Sequence, residues 1–182
     1  TKALPDVILK AGGYAVLFDS RNELETDKEA LRIPVETFPA LNDQGALLHL
    51  YNASGTLIDS VTYAKATAGK SWERSASGWH LSTDPRGGTP GSANSSPSSE
   101  EEKPPVGPDK PEDPDTPAVT DPVQPGEIVF NELLPEPYVG GSEYIELYNR
   151  SDKALSVSDL SLAVRKSDGT LNTRYPLAAI VR

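Results

Sequence analysis

The groups in this chain that could do chemistry are two histidines, three glutamates near residue 140 and a scatter of aromatics. An imidazole can serve as general base, proton shuttle or metal ligand near neutral pH. His49 lies in the strand-like run ALLHLYN and His80 follows Trp79 beside a turn, so a solvated strand residue is the simpler account of each. No Gly-x-Ser-x-Gly elbow, Gly-rich phosphate loop or His-Glu-x-x-His helix is present. Ser-His-Asp arrangements are recognised by geometry. A hydrolase reading therefore needs a pocket that joins His49 or His80 to a serine and an aspartate.

Glu132, Glu143 and Glu146 fall on adjoining strand-like segments. Glu143 and Glu146 are an odd number of residues apart, which on a regular strand sends them to opposite faces and weakens a paired acid/base role. Strand-end carboxylates that accept backbone N–H groups, or that pair with Arg74 or Arg150, fit better than calcium ligands. Asp109, Asp113 and Asp115 lack the glycine and terminal glutamate of a calcium loop and read as solvated charge. Among the aromatics, Trp72 in GKSWERS stands beside Glu73 and Arg74 and is the candidate exposed anchor. Trp72, Arg74 and Tyr144 are the expected ligand contacts. For most of the other aromatics, and for Trp79 above all, packing in a core is the plainer account. No catalytic residue, metal or cofactor is expected.

The elements that would position these groups are β-strands. Residues 14–19 (YAVLFD) form an apolar run, and 46–51 with 56–63 flank Asn52-Ala53-Ser54-Gly55, a hairpin signal. Leu57, Val61 and Tyr63 are expected on one face, with Ile58 breaking the alternation. Short candidates follow at 71–74 and around Trp79. Further on come 127–134 and 143–149, the latter with Ile145 and Leu147 opposite Glu146 and Tyr148. A second hairpin is expected from 160–165 and 170–177 around Ser167-Asp168-Gly169. Residues 22–33 carry a faint helical pattern. The predicted class is all-β.

Residues 91–125 interrupt this pattern. They hold nine of the seventeen prolines, no aromatic, leucine or isoleucine, and eight acids against two lysines. Such a stretch buries too little apolar surface to offset its ordering entropy, and its prolines favour extended conformations. It predicts a flexible linker between a first block, 1–90, and a second, 126–182. It also accounts for −6 of the net charge of −10. A net-negative chain with no dense basic cluster repels phosphate backbones, so no nucleic-acid partner is expected. There is no cysteine, hence no disulfide or thiolate site. No apolar run is long enough for a membrane helix, so no membrane insertion is expected of this stretch. No signal peptide is present; with Thr1 first and no methionine anywhere, the chain is expected to be a fragment of a longer protein, for whose parent the missing signal carries no information.

EIVFNELLPEP followed by GSEYIELYNRSDKALSVSDLSL (Asn131, Glu132, Pro135, Glu143 to Asn149) resembles the opening half of a lamin tail domain. AGGYAVLFD, GALLHLYNASGTLIDSVTY, GKSWER and STDPRGGTPGSAN, with Gly88-Thr89-Pro90-Gly91 and Asn94, resemble its closing half. The resemblance covers most of 9–94 and 127–178, with the halves in exchanged order. It implies an immunoglobulin-like β-sandwich, found in lamins and in secreted or surface proteins of bacteria; the acidic, Pro-rich spacer is closer to the bacterial context. Each block alone offers fewer strands than the roughly seven of a sandwich. The halves are expected to complement one another, within one chain or with a strand-swapped neighbour. The expected function is a non-catalytic structural or interaction module of a bacterial secreted or cell-surface multidomain protein, partnered by itself, another surface protein or a glycan. The alternative is a carbohydrate- or protein-binding accessory module of an extracellular hydrolase.

Overall fold

Strands from both ends of the chain alternate in the same sheets. The computed structural model describes residues 7–95, 122–165, 170 and 175–177. The first block contributes β1 (Ile8–Leu9), β2 (Tyr14–Asp19), β3 (Leu31–Val35), β4 (Ala46–Tyr51), β5 (Leu57–Tyr63), β6 (Trp72–Ser75) and β7 (Gly78–Leu81). The second contributes β8 (Ile128–Leu134), β9 (Tyr144–Asn149), β10 (Leu155–Ser156), β11 (Ser161–Arg165) and β12 (Tyr175–Pro176). One sheet runs β3-β2-β9-β8-β6-β7, a second β12-β11-β4-β5, and β1 pairs with β10. The chain is thus an all-β sandwich, and no α-helix occurs among the described residues.

Alternation explains the layering. Ala15 and Leu17 of β2, Ile145 and Leu147 of β9, and Phe130 and Leu133 of β8 meet Leu48, Leu50, Val61, Leu162 and Val164 of the second sheet in one apolar cluster. The opposite face of the larger sheet is covered too. Val16, Phe18 and Tyr144 pack there under Leu24 and Ala30. Those two residues belong to the crossover that joins β2 to its parallel neighbour β3. A parallel pair requires such a crossover, and this explains residues 22–33. Their apolar positions seat on Phe18 and its neighbours while the backbone stays irregular, and residues 31–35, including Pro34, form an edge strand rather than a helix.

Two bulges reset the pattern. In β5 the register shifts opposite Leu50 and Tyr51, so Ile58 is buried and Leu57 is 41 % exposed. Leu57 therefore does not share a face with Val61 and Tyr63, because the extra residue rephases the strand. In β8 the shift lies between Phe130 and Glu132, which sends Phe130 to the core and Glu132 to the outer face with Asn131 between.

The ends of the proposed linker are packed. Val123 is buried in the core cluster, and its carbonyl accepts a hydrogen bond from Asn52 Nδ2 at 3.1 Å. Residues 91–95 lie on the larger sheet and bond to the Glu146 and Glu73 side chains and the Arg74 carbonyl. A single apolar side chain and a few polar groups suffice to seat each end, although the composition of 91–125 is that of a spacer. Its Pro- and acid-rich centre, with Asp109, Asp113 and Asp115, lies outside the described residues, as does the turn Ser167-Asp168-Gly169.

Candidate functional site

Three glutamates stand side by side on the outer face of the larger sheet. Glu73 of β6 is the register partner of Glu132 of β8, and Glu132 is the partner of Glu146 of β9. None of the three has any solvent exposure. The bulge at Asn131 creates this row by rotating Glu132 onto the face that Glu146 already occupies. Glu143 lies apart, before β9, where it accepts the Leu41 backbone N–H. The odd spacing therefore does separate Glu143 from Glu146, and the meaningful pairing is across strands.

The segment 82–95 closes over the row and supplies part of its donors, the rest coming from the sheet itself and from Ser71. Glu132 Oε1 accepts the Ser71 hydroxyl at 2.6 Å, the Tyr144 hydroxyl at 2.6 Å and the Thr89 backbone N–H at 2.8 Å. Its Oε2 accepts the Thr89 hydroxyl at 3.0 Å. Glu146 accepts the Gly91 N–H at 2.5 Å and the Asn131 amide at 2.6 Å. Glu73 accepts the Ser95 hydroxyl at 3.0 and 2.9 Å. Asn94 and Asn131 donate reciprocally to each other's side-chain oxygens, and Asn94 also donates to the Arg74 carbonyl at 2.8 Å. The glycines are needed for this approach. A Cβ on Gly88 would stand 2.3 Å from the Tyr144 hydroxyl and 2.6 Å from Glu132 Oε1. Gly91 has φ 89°, in the region L side chains avoid.

Burial disfavours the charged form of a carboxyl group. It pushes Glu132 above the usual carboxylate range against the pull of its Ser71, Tyr144 and Thr89 donors. Glu146 is raised well above that range by burial and by the neighbouring Glu132 and Glu73 charges. Neither Glu132 nor Glu146 has a salt-bridge partner among the described residues. Burial and the adjoining Glu132 likewise push the Tyr144 hydroxyl well up. Burial lifts Glu143 to about 7, with Asp43 and Asp19 adding to the rise. Among the described residues no three His, Cys, Asp or Glu side chains are arranged to hold a metal ion.

The expected ligand contacts are rearranged. Trp72 is no exposed anchor: it is half-buried and packs on the core, because even-spaced β6 residues face inward and Glu73 faces out. Tyr144 is 1 % exposed and serves Glu132. Arg74 bonds Asp59 Oδ2 at 3.1 Å and the Phe130 carbonyl at 3.2 Å, not one of the glutamates. The same Asp59 oxygen accepts the Phe130 N–H at 2.9 Å, which ties β5 to the bulge of β8. His49 stacks on Tyr51 and meets its hydroxyl at 3.2 Å through Nδ1; burial and Arg165 lower its proton affinity. His80 Nε2 meets the Ser77 hydroxyl at 2.9 Å. Each histidine thus has a local partner, and the two lie on different sheets.

Glu73, Thr89 as the central donor, and Tyr138 do not stand out in the amino-acid sequence. Tyr138 and Val139 form the tip of the β8–β9 loop, 68 % and fully exposed, with the Tyr138 ring over Gly69. The Leu-Pro-Glu-Pro-Tyr-Val-Gly-Gly run carried the signal, since two prolines and two glycines mark a loop that lifts whatever lies between them. No family model, curated protein or solved structure matches the chain.

Proposed function

We propose that this chain is a non-catalytic, immunoglobulin-like module of lamin-tail type, with a structural or interaction role in a bacterial secreted or cell-surface multidomain protein. The observation that carries this reading is the use made of the glutamate row. The segments whose motifs resemble the closing half of that family, Thr89, Gly91 and Asn94, bond to those that resemble its opening half, Glu132, Glu146 and Asn131. Carboxylates that are wholly buried and filled by hydroxyl and amide donors fasten a segment; they do not receive a substrate. The test is turnover by the purified chain on fluorogenic glycosides, esters, phosphoesters and peptides. No activity above buffer is expected, and turnover abolished by Glu132→Gln would overturn the reading.

A second reading, a carbohydrate- or protein-binding accessory module of an extracellular hydrolase, is favoured by Tyr138 and Val139. An aromatic ring held out on a Pro- and Gly-bounded loop is the shape of a stacking platform. Under this reading Tyr138→Ala abolishes binding on a glycan array while Trp72→Phe does not, because Trp72 packs inward.

A further inference from the structure

We propose that the second block is exchangeable between copies: the gap between β2 and β6 of one chain accepts the β8–β9 pair of a second copy of the same chain. Every contact joining the blocks is remote in sequence. Tyr14–Phe18 pairs with Tyr144–Tyr148, Trp72–Glu73 with Glu132–Leu133, and β4 with β11. None depends on which polypeptide supplies the partner. Without β8 and β9, two strand edges lie open, and Ala15, Leu17, Leu48 and Leu50 lose the Phe130, Ile145, Leu147 and Leu162 cover of the common core. Unpaired edges over an open apolar face are what a second chain fills.

The polar row decides which chain fits. Glu132 and Glu146 must meet the Thr89 and Gly91 N–H groups, and Asn131 must meet Asn94. A slip of one residue would drive both carboxylates into the apolar core and leave those N–H groups bare. A foreign strand pair lacks this key, so the occupant is the same block from another copy. Contacts in the closed and exchanged forms are identical. Their balance is set by chain concentration against the effective concentration of the tethered block, on the order of millimolar. Exchange requires the six-stranded sheet to open, so it occurs during folding rather than between folded molecules.

The chain has no cysteine, which permits a direct test. One chain carries Tyr14→Cys and another Tyr148→Cys, positions that are register partners across β2 and β9. They are refolded together at about 10 µM and at about 1 mM, concentrations that bracket the effective concentration, then oxidised. A cross-chain disulfide whose yield rises with concentration, and which is absent when the two chains are folded separately and mixed, is the expected result. Two results would overturn exchange: no cross-chain disulfide although both chains recover the parent circular dichroism, or equal yield from separately folded chains. If a cysteine variant fails to fold, Tyr51→Cys with Ser161→Cys reads the β4–β11 pairing in the same way. Light scattering on the unmodified chain refolded at the higher concentration should show dimers or larger species, and monomer alone sinks the proposal.

Discussion

At the level of single residues, Glu132 shows how one buried side chain can organise its surroundings. Its burial is unfavourable, yet it receives four hydrogen bonds, two of them from Thr89. Removing the carboxylate recovers its desolvation but leaves the Tyr144 hydroxyl and the Thr89 N–H as buried donors, each costing about 1–3 kcal/mol. Loss therefore wins: Glu132→Ala should lower unfolding free energy by about 3 kcal/mol in a denaturant titration, and Ser71→Ala by about 1 kcal/mol. A neutral effect of Glu132→Ala would mean the donors find other acceptors. Acidity gives a second expectation. Glu132, Glu146 and Glu143 all hold protons more tightly folded than unfolded. The folded state therefore binds more protons above the ordinary carboxylate range, and the stability from these groups, full below that range, drains as pH rises through the folded values. Asp19 and Asp84 work the other way, held low by Arg21 and Arg86, but only in more acidic solution; His49, whose proton affinity burial lowers, also opposes the trend, as one group against three. The urea midpoint should be higher at about pH 5 than at about pH 8, and Glu146→Gln should shrink that difference whatever its own stability. A midpoint that climbs toward pH 8 would contradict this direction.

Among the elements, strands with simple alternation were legible and those reset by a bulge were not. Ile145 and Leu147 opposite Glu146 could be read from spacing alone, because β9 is regular. The hairpin at Asn52–Gly55 was legible from turn chemistry. Leu57 was misplaced because one extra residue inverts the face of everything before it. The glutamate row stayed hidden for the same reason. It requires the shift at Asn131 and a register between strands that only the folded sheet sets. Residues 22–33 kept their apolar positions but used them in a crossover, where tertiary contact outweighs a faint helical period. The charged neighbours of Trp72 suggest an outward side chain, whereas strand parity sends it in and Glu73 out. The bulge in β8 has its own clamp in Asp59, whose Oδ2 takes both the Phe130 N–H and Arg74. Asp59→Ala should cost about 2 kcal/mol, and hydrogen exchange should rise first at Phe130. Exchange unchanged there would show that the bulge needs no such support.

At the scale of the molecule, the central strands of the larger sheet come from residues beyond 122, while their neighbours on both sides come from before 82. Residues 1–95 alone should therefore lack a cooperative melt, and addition of 122–182 should restore a single sharp one. A clean two-state transition for 1–95 by itself would refute interdependence. The spacer's composition pointed to two blocks, but not to how tightly its ends would be seated by Val123 and Ser95. Finally, the sheet's outermost member on one side, β3, is only five residues long and contains Pro34, so it offers one amide hydrogen fewer to any newcomer. Arg32, exposed on that same border, adds a charge to it. Lateral accretion is thus discouraged along this margin, and molecules crowded shoulder to shoulder would stay separate there instead of fusing into fibrils.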